Sequence, residues 1–437
     1  MIRFDNDPAA DAAYKEILRR SVLSRVIHVE INGTELGSEK IIADSLNIKS
    51  AVMDSETLRF GGCISSQLTI RLQYINPSGL QGEKIRVWLV QKSAGAPLYP
   101  SDTLYPSESL QIGTPEYTNT QMLYTGYIES IRRLEPRFVL ELIAYDEFYR
   151  MSQTKCKDAL SLTMSHSPDA VNTLIKFVEK TLELYDSSTH GQTDYSQQLS
   201  TNRGFQYALS PLLSVVNKNL FDQYADDELT VLDVLAAHSE LNARFAWIAA
   251  DGSLRFSQFF VENLNAASKR AVDEAVPYYR KLSFEEKDTA QVLYLSFPYK
   301  DNNGREDRAI YGMTDEKRNW YVSDNIITSW CNSSPVAYQL VTNFWRNGTE
   351  KNYVFNAMSQ YRSYELTTFG EWWLEPGDRI TATAAVYDSS TGTYSNEQID
   401  SFVLERELSG TSNMKVTIRA RGAEYLGKEI LQNGTVQ

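Results

Sequence analysis

The chain has 437 residues and carries 43 Lys and Arg against 56 Asp and Glu, which gives a formal net charge of −13. The length suggests about three domains, and a hydrophobic fraction of 42% excludes a largely disordered or collagen-like chain. The acidic balance disfavours non-specific binding to nucleic acid or anionic lipid, because both need concentrated Lys and Arg. The 26 tyrosines are typical of half-buried sheet faces and wet interfaces. We therefore expect a soluble, β-rich protein with surfaces for other proteins.

The cysteines and the N-terminus indicate the compartment. Cys63, Cys156 and Cys331 form no CxxC pair and show no regular spacing, which favours reduced thiols packed as small apolar residues. The N-terminal 20 residues carry Asp5, Asp7, Asp11 and Glu16 and lack an apolar run, unlike a signal peptide. No stretch reaches the roughly 20 apolar residues that a membrane-spanning helix needs. We expect a protein made in a cytoplasm, with no stable membrane association.

Alternation of apolar and polar residues predicts a first β region after a short amphipathic helix over 11–23. The predicted strands are 26–31, 67–72, 85–90, 123–131 and 138–144. Asn32-Gly33 is a hairpin turn signal, and Gly126 predicts a bulge or a close backbone approach. Residues 97–120, rich in Pro, Ser, Thr and Tyr, are predicted to form an ordered surface loop. Together these strands predict an antiparallel barrel or sandwich.

The middle of the chain has a mixed pattern. Ser167-Pro168-Asp169 is a helix start signal, and Asp251-Gly252 is a tight turn signal. The predicted elements are a helix over 167–184, an exposed polar loop over 185–206, a helix over 230–237, a strand over 244–248 and a strand over 253–256.

A second β region follows. Its predicted strands are 292–297, 361–367, 379–386, 401–408 and 414–420, with turns at 302–304, 377–378 and 391–392. The pattern of residues 326–354 gives no assignment. The fold class is therefore mainly β, in the α+β sense, with smaller mixed α/β units between or inserted in two β regions.

Motifs for catalysis and metal binding are not found. The sequence has no HExxH, GxSxG, GxxxxGK[ST] or GxGxxG, and His28, His166, His190 and His238 are far apart. His238 could be a metal ligand, because Asp233 and Glu240 lie on the same predicted helix. A solvated or partly buried histidine without a metal is the favoured interpretation. Cys63, after Gly61-Gly62, is interpreted as a packed thiol.

Paired charges and paired aromatics also have simpler interpretations. The acid pairs Glu285-Glu286 and Asp226-Asp227 are interpreted as turn and cap acids, and the basic pairs Arg132-Arg133 and Lys269-Arg270 as solvated faces. Trp372-Trp373 and Tyr278-Tyr279 could stack on sugars, but packing in the core and at interfaces is favoured. We predict no catalytic, cofactor-binding or metal-binding residue, no cofactor and no enzyme activity.

Three segments resemble the tail hub proteins of long-tailed bacteriophages, which include the baseplate hubs of contractile tails. The first is Leu46-Asn47-Ile48 with Ser55-Glu56-Thr57-Leu58-Arg59-Phe60-Gly61-Gly62-Cys63 and Ser65-Ser66-Gln67-Leu68-Thr69-Ile70. The second is Leu229-Thr230-Val231-Leu232-Asp233-Val234-Leu235 with Phe245-Ala246-Trp247-Ile248 and Asp251-Gly252-Ser253-Leu254-Arg255-Phe256. The third is Leu374-Glu375-Pro376-Gly377-Asp378-Arg379-Ile380. They occur in the order that the family has.

The resemblance implies a homotrimer whose subunits each supply two tail-tube-like antiparallel β-barrels to a pseudo-six-fold ring. The ring would bind a tail-tube or distal-tail protein on one side and tip spike or fibre proteins on the other, with the tape measure protein as a further candidate. DNA would pass through the lumen without specific binding. The location would be the virion tail tip or baseplate, assembled in the bacterial cytoplasm. Because the last β region lies close to Gln437, we expect no fused peptidase or receptor-binding extension.

The resemblance also sets the expected domains. These are a helical segment over 1–23, a first tube-like β-barrel over 24–155, a mixed helical and hairpin domain over 156–275, and a second tube-like β domain over 276–437 with an inserted or flanking segment near 300–355. Two alternatives stay open. One is an adsorption module that binds a cell-surface glycan through Trp372, Trp373 and the loop over 99–117, and the other is a cell-wall hydrolase.

Overall fold

The structure of the chain is a computed structural model. It describes residues 23–53, 60–93, 117–135, 138–156, 170–188, 195–201, 229–241, 244–257, 270–271, 279–285, 294–300, 305–312, 320–329, 362–368, 374–388, 390–411 and 415–422, together with residues 303 and 372.

Eighteen strands and five α-helices are described. The strands are β1 Leu23–Ile31, β2 Thr34–Leu36, β3 Asn47–Ala51, β4 Gln67–Gln73, β5 Lys84–Ser93, β6 Tyr117–Leu134, β7 Val139–Tyr145, β8 Phe245–Ile248, β9 Leu254–Ser257, β10 Arg270–Ala271, β11 Tyr279–Glu285, β12 Tyr294–Lys300, β13 Glu306–Gly312, β14 Trp320–Val322, β15 Arg362–Thr368, β16 Arg379–Asp388, β17 Thr393–Ser409 and β18 Lys415–Gly422. The helices are α1 Glu147–Gln153, α2 Ala170–Ser188, α3 Tyr195–Thr201, α4 Val231–Leu241 and α5 Ile326–Ser329.

One sheet of 13 strands dominates the structure, in the order β11-β15-β18-β17-β3-β4-β7-β6-β5-β1-β2, with β16 on β17 and β10 on β16. Every pairing in this sheet is antiparallel except that of β10 with β16. The two β regions predicted from the sequence meet in it, because β3 pairs with β17. A three-stranded sheet, β13-β12-β14, and the hairpin β8-β9 complete the described strands. The prediction of a mainly β, α+β fold is confirmed.

The core follows from the alternation along each strand. In β4 the side chains of Leu68, Ile70 and Leu72 are buried, while the intervening side chains are partly or fully exposed. The same cluster of buried apolar residues includes Val403 and Ile418 from the other β region. One hydrophobic core therefore spans both β regions, and burying it supplies the main stabilisation of the large sheet.

The predicted turns are confirmed where the structure describes them. Asn32 and Gly33 have φ angles of 48° and 75°, the left-handed geometry that a tight hairpin between β1 and β2 requires. Asp251-Gly252 joins β8 to β9. Gly126 also fits its prediction, because a Cβ added there would lie 2.5 Å from the carbonyl oxygen of Tyr145. The adjacent strand, β7, therefore approaches Gly126 closely.

The prediction of an exposed loop over 185–206 is wrong for residues 185–188 and 195–201, the part of this range that the structure describes. Helix α2 continues to Ser188, and α3 covers Tyr195–Thr201. Tyr185 and Tyr195 are buried, and the Asp186 carboxylate accepts hydrogen bonds from the backbone N–H groups of Tyr195 and Ser196. This carboxylate satisfies the first N–H groups of α3, an arrangement that links residues in separate helices and has no local sequence signal.

Some predictions lie outside the described residues. These are the helix over 11–23 apart from Leu23, which begins β1, the loop over 97–120 apart from its last four residues, the start signal at 167–169, His166, His190, Cys331, Asp226-Asp227, Lys269, Tyr278, Glu286 and Trp373. The loop prediction is wrong for residues 117–120, which begin β6.

Two glycines form a matched pair for testing how tightly α4 packs on the chain before β4. Gly61 and Gly33 have similar φ angles, 72° and 75°, so alanine pays a similar backbone cost of about 1 kcal/mol or more at either position. Only at Gly61 does an added Cβ meet an obstacle, the carbonyl oxygen of Ala236 at 2.4 Å. We expect Gly61→Ala to lower the free energy of unfolding by about 2 kcal/mol more than Gly33→Ala in urea titrations. Equal losses would show that α4 moves aside freely.

Candidate functional site

The described parts of the chain converge on a buried polar junction, defined here as Ser50, Asp146, Ala250, Glu375 and Arg406. These residues come from β3, the start of α1, the β8-β9 turn, the loop before β16, and β17 respectively. A cavity of about 10 Å³ lies among them, which is about the space that one water molecule occupies. The polar junction therefore joins elements and leaves no room for an organic ligand.

Arg406 is the central cation of the polar junction. Its side chain is 3% exposed, and the guanidinium donates hydrogen bonds to the carbonyl oxygens of Trp372 at 3.2 Å and Leu374 at 2.8 Å. It also lies 3.5 Å from Ser50 Oγ. Burial lowers the pKa of Arg406, and the carboxylates of Glu375 and Asp378 act in the opposite direction. The guanidinium thus fixes the loop before β16 against β17 and β3.

The Pro-Gly-Asp segment builds the loop that Arg406 holds. The Asp378 carboxylate accepts from the backbone N–H of Glu375 at 2.8 Å, and Gly377 takes the positive φ of 89° that the turn needs. The Glu375 carboxylate accepts from the backbone N–H of Ala250 at 3.0 Å and lies 3.5 Å from the Arg255 guanidinium. This segment therefore attaches the β8-β9 hairpin to the large sheet.

Asp146 attaches α1 to the chain before β4. Its carboxylate accepts hydrogen bonds from Ser65 Oγ, the backbone N–H of Ser66 and the backbone N–H of Phe148, at 2.7 to 3.0 Å. The last contact caps α1. Burial nevertheless raises the pKa of Asp146 to about 7, because the loss of hydration outweighs these hydrogen bonds.

His238 lies buried on α4, so the favoured expectation of a solvated or partly buried side chain is wrong. Burial lowers its pKa to about 3, and the Arg244 guanidinium acts in the same direction. The two acids considered as co-ligands serve other contacts. Asp233 accepts from Thr230 at the start of α4, and Glu240 accepts from Asn325 Nδ2 at 2.8 Å. The geometry thus gives no metal site at His238.

Most other sequence candidates lie apart from the polar junction. His28 stacks on Trp88, and its Nδ1 is 2.5 Å from a carboxylate oxygen of Glu35. Cys63 and Cys156 are free thiols, and burial raises the pKa of both. Across the described part of the chain, no group of three or more His, Cys, Asp or Glu side chains is arranged to hold a metal ion. None of the described helices is long and apolar enough to cross a membrane.

The glycan-binding alternative is wrong for Trp372, because a sugar cannot reach the buried ring of this residue. Its ring is 0% exposed, belongs to the core and lies 4.4 Å from the Arg25 guanidinium carbon. The packing interpretation is confirmed for this residue. The side chain of Tyr279 is outside the described part of the structure, although its backbone starts β11.

Sequence reasoning missed Arg406 and Asp146, although a signal was present for both. Arg406 has the same parity as Leu404 and Leu408, two buried residues of β17, so strict alternation places its side chain on the buried face. Asp146 similarly continues the buried series of Leu142 and Ala144 just before a helix. A charged residue at a position where strand alternation places buried apolar residues could therefore have been used to predict a buried charge.

Asp146 and His238 are predicted to have opposite effects on the pH dependence of stability. Between about pH 4 and pH 6.5, the folded chain holds a proton on Asp146 that the unfolded chain has released, so stability falls as pH rises. In the same range, the unfolded chain binds a proton at His238 that the folded chain lacks, so stability rises. Each contribution is about 1.4 kcal/mol per pH unit, and in the wild type the two offset each other.

Urea unfolding across this pH range tests the pair. We expect Asp146→Asn to gain stability with rising pH relative to the wild type, and His238→Gln to lose stability with rising pH. All other titrating groups are the same in variant and wild type, so their contributions cancel when the two free energies of unfolding are subtracted at each pH. Curves that run parallel to the wild type for both variants would contradict the two pKa shifts.

Arg406→Met tests the polar junction directly. It leaves Glu375 buried with less positive charge nearby and removes the donor from two carbonyl oxygens, so we expect a loss of about 3–5 kcal/mol in the free energy of unfolding. The control is Arg71→Met, which removes a half-exposed ion pair with Glu141 and should cost under about 1 kcal/mol. Chemical denaturation measures both, and equal losses would contradict a special role for Arg406.

Comparisons with known proteins give limited similarity. No protein-family model and no curated protein matches the chain. A tail protein from Neisseria meningitidis MC58 has a solved structure that is similar over 91% of this chain and 96% of its own, with 11% identity and a TM-score of 0.44. The 43 kDa tail protein of prophage MuSo2 from Shewanella oneidensis is similar over 92% and 99%, with 9% identity and a TM-score of 0.41.

A third solved structure is a component of the type VI secretion system of E. coli, described as structurally similar to the T4 bacteriophage tail proteins gp27 and gp5. It is similar over 90% of this chain and 76% of its own, with 9% identity and a TM-score of 0.36. At these low TM-scores, the likeness gives no basis for assigning a function.

Proposed function

We propose that the chain is a structural phage tail protein that acts as a hub adaptor, joining the tail tube to the tip spike or fibres and lining the DNA passage. Three copies form a ring in which each subunit supplies two tube-like β regions, over 24–155 and 276–437. The mixed region over 156–275 lies between them in sequence. The starting point is the sequence resemblance of three segments spread over the chain.

The pairing of β3 with β17 is the observation that carries the proposal. Residues 47–51 and 405–409 form a continuous antiparallel ladder, so the two β regions share one sheet. A ring segment has to transmit the position of the tube to the tip without bending between its halves. Backbone hydrogen bonds across the joint, together with one shared core, give the stiffness that such a segment needs.

The polar junction supports a structural role rather than a catalytic one. Arg406 and Asp146 are already hydrogen-bonded to other parts of the chain, and the cavity beside them has the volume of about one water molecule. A reacting substrate would have to displace the contacts that hold the elements together. We therefore propose no catalysis and no cofactor for this protein.

The charge of the chain fits a DNA conduit. A formal net charge of −13 disfavours adhesion of DNA phosphates, so DNA can pass without being retained. The proposed partners are a tail-tube or distal-tail protein on one face, spike or fibre proteins on the other, and the tape measure protein in the lumen. The proposed location is the virion tail tip or baseplate, after assembly in the host cytoplasm.

The proposal is tested by the mass and shape of the purified full-length chain. We expect mass photometry to show trimers, and electron microscopy to show three-fold rings with a pseudo-six-fold outline that add to tail-tube protein. A chain that stays monomeric and never joins a ring with tail-tube protein would contradict the hub function.

A zymogram on purified peptidoglycan tests the cell-wall hydrolase alternative. We expect no clearing, because the polar junction offers no open reactive centre. Clearing that persists in Arg406→Met but is lost when an acidic residue outside the polar junction is replaced would place an active site elsewhere in the chain.

A further inference from the structure

Two buried N–H groups beside the polar junction have no hydrogen-bond acceptor among the residues that the structure describes. They are Nε1 of Trp247, on β8, and Nε of Arg406, on β17. The two residues are 5% and 3% exposed, so bulk water does not reach these nitrogen atoms. A buried donor without an acceptor is destabilising, and folded chains almost always supply one. The two N–H groups therefore require an acceptor that is not part of the described chain.

Trp247 and Arg406 line the same small cavity, together with residues of β3, β6 and the start of α1. Its volume is about 10 Å³, which is close to the smallest space in which a water molecule fits. Trp247 belongs to the β8-β9 hairpin, whereas Arg406 belongs to the large sheet. A guest in the cavity would consequently lie between two separate sheets.

The groups around the cavity select its guest. The guest has to accept hydrogen bonds from two N–H groups, one of them on a guanidinium, so a cation is unsuited. The carboxylates of Asp146 and Glu375 also line the cavity and disfavour an anion, whereas their oxygen atoms can accept further hydrogen bonds. The fitting guest is thus a neutral molecule that both accepts and donates. The volume excludes anything much larger than water.

We infer that the cavity holds one ordered water molecule, which accepts hydrogen bonds from Trp247 Nε1 and Arg406 Nε. Its own hydrogen atoms are donated to carboxylate oxygens of the lining, those of Asp146 and Glu375. The water connects the β8-β9 hairpin to β17, in addition to the contact of Glu375 with Ala250. Buried waters of this kind typically make about three hydrogen bonds and are costly to remove, so the water is a structural part of the polar junction.

A crystal structure of the full-length chain, at a resolution that shows ordered water, tests the site directly. We expect one peak of water density at about 2.7–3.2 Å from both Trp247 Nε1 and Arg406 Nε. A cavity without density would overturn the inference. Crystals soaked in bromide should show no anomalous peak there, and such a peak would replace the water by an anion and overturn the inference as well.

Removal of the Trp247 N–H alone tests the hydrogen bond in solution. Replacing Trp247 by β-(3-benzothienyl)alanine keeps the bicyclic ring and places sulfur where the indole N–H stands. Because the water loses one donor, we expect the equilibrium constant of unfolding to rise about fivefold, the effect of one net hydrogen bond. If the donor had no acceptor, its removal would lower this constant. Urea titrations measure the constant, and its direction of change separates the two cases.

Trp88 gives the matched control, because it is partly buried, stacks on His28 and does not line the cavity. The same replacement at Trp88 should change the equilibrium constant of unfolding by less than about twofold. A constant that falls for the Trp247 replacement, or that changes no more than in the control, would overturn the inference. Neither result depends on ring assembly, so the hub function is tested separately.

Discussion

A guanidinium buried in a protein interior needs hydrogen-bond acceptors and nearby negative charge, because removing it from water costs several kcal/mol. Arg406 meets this requirement only when β17 and the loop before β16 come together. The carbonyl oxygens of Trp372 and Leu374 accept from it, and the carboxylates of Glu375 and Asp378 supply the opposing charge. The loop before β16 is consequently held in one position, and through Glu375 it holds the β8-β9 hairpin as well.

The same loop lies where β17 changes partners. The first part of β17 pairs with β16, and its last five residues pair with β3 along the same edge. Between them, Val403 exchanges backbone hydrogen bonds with Gly377 and Asp378, and the backbone N–H of Val52 donates to the carbonyl oxygen of Leu404. The Pro-Gly-Asp turn therefore fills the gap between two ladders. This continuity allows one sheet and one core to cover both β regions.

The buried charges and the exposed apolar rings have complementary consequences. Asp146 and His238 are buried titratable groups whose opposite effects on stability offset each other at mildly acidic pH. The rings of Tyr74 and Phe138, by contrast, stack on each other and keep part of their apolar surface in contact with water.

The sequence by itself determined the elements with strong local signals: the alternating strands, the Asn32-Gly33 and Asp251-Gly252 turns, and the helix that begins after Thr230. Alternation and turn chemistry act between near neighbours, so they are readable without the fold. Only the tertiary structure decided that β3 pairs with β17, that α3 forms on the carboxylate of Asp186, and that Trp372, Arg406 and His238 are buried. Those outcomes depend on groups far apart in the chain, because the environment of a charge or a ring is set by what packs against it. The acidic composition predicted poor retention of nucleic acid, whereas the exposed stacking of Tyr74 on Phe138 became visible only in the folded chain.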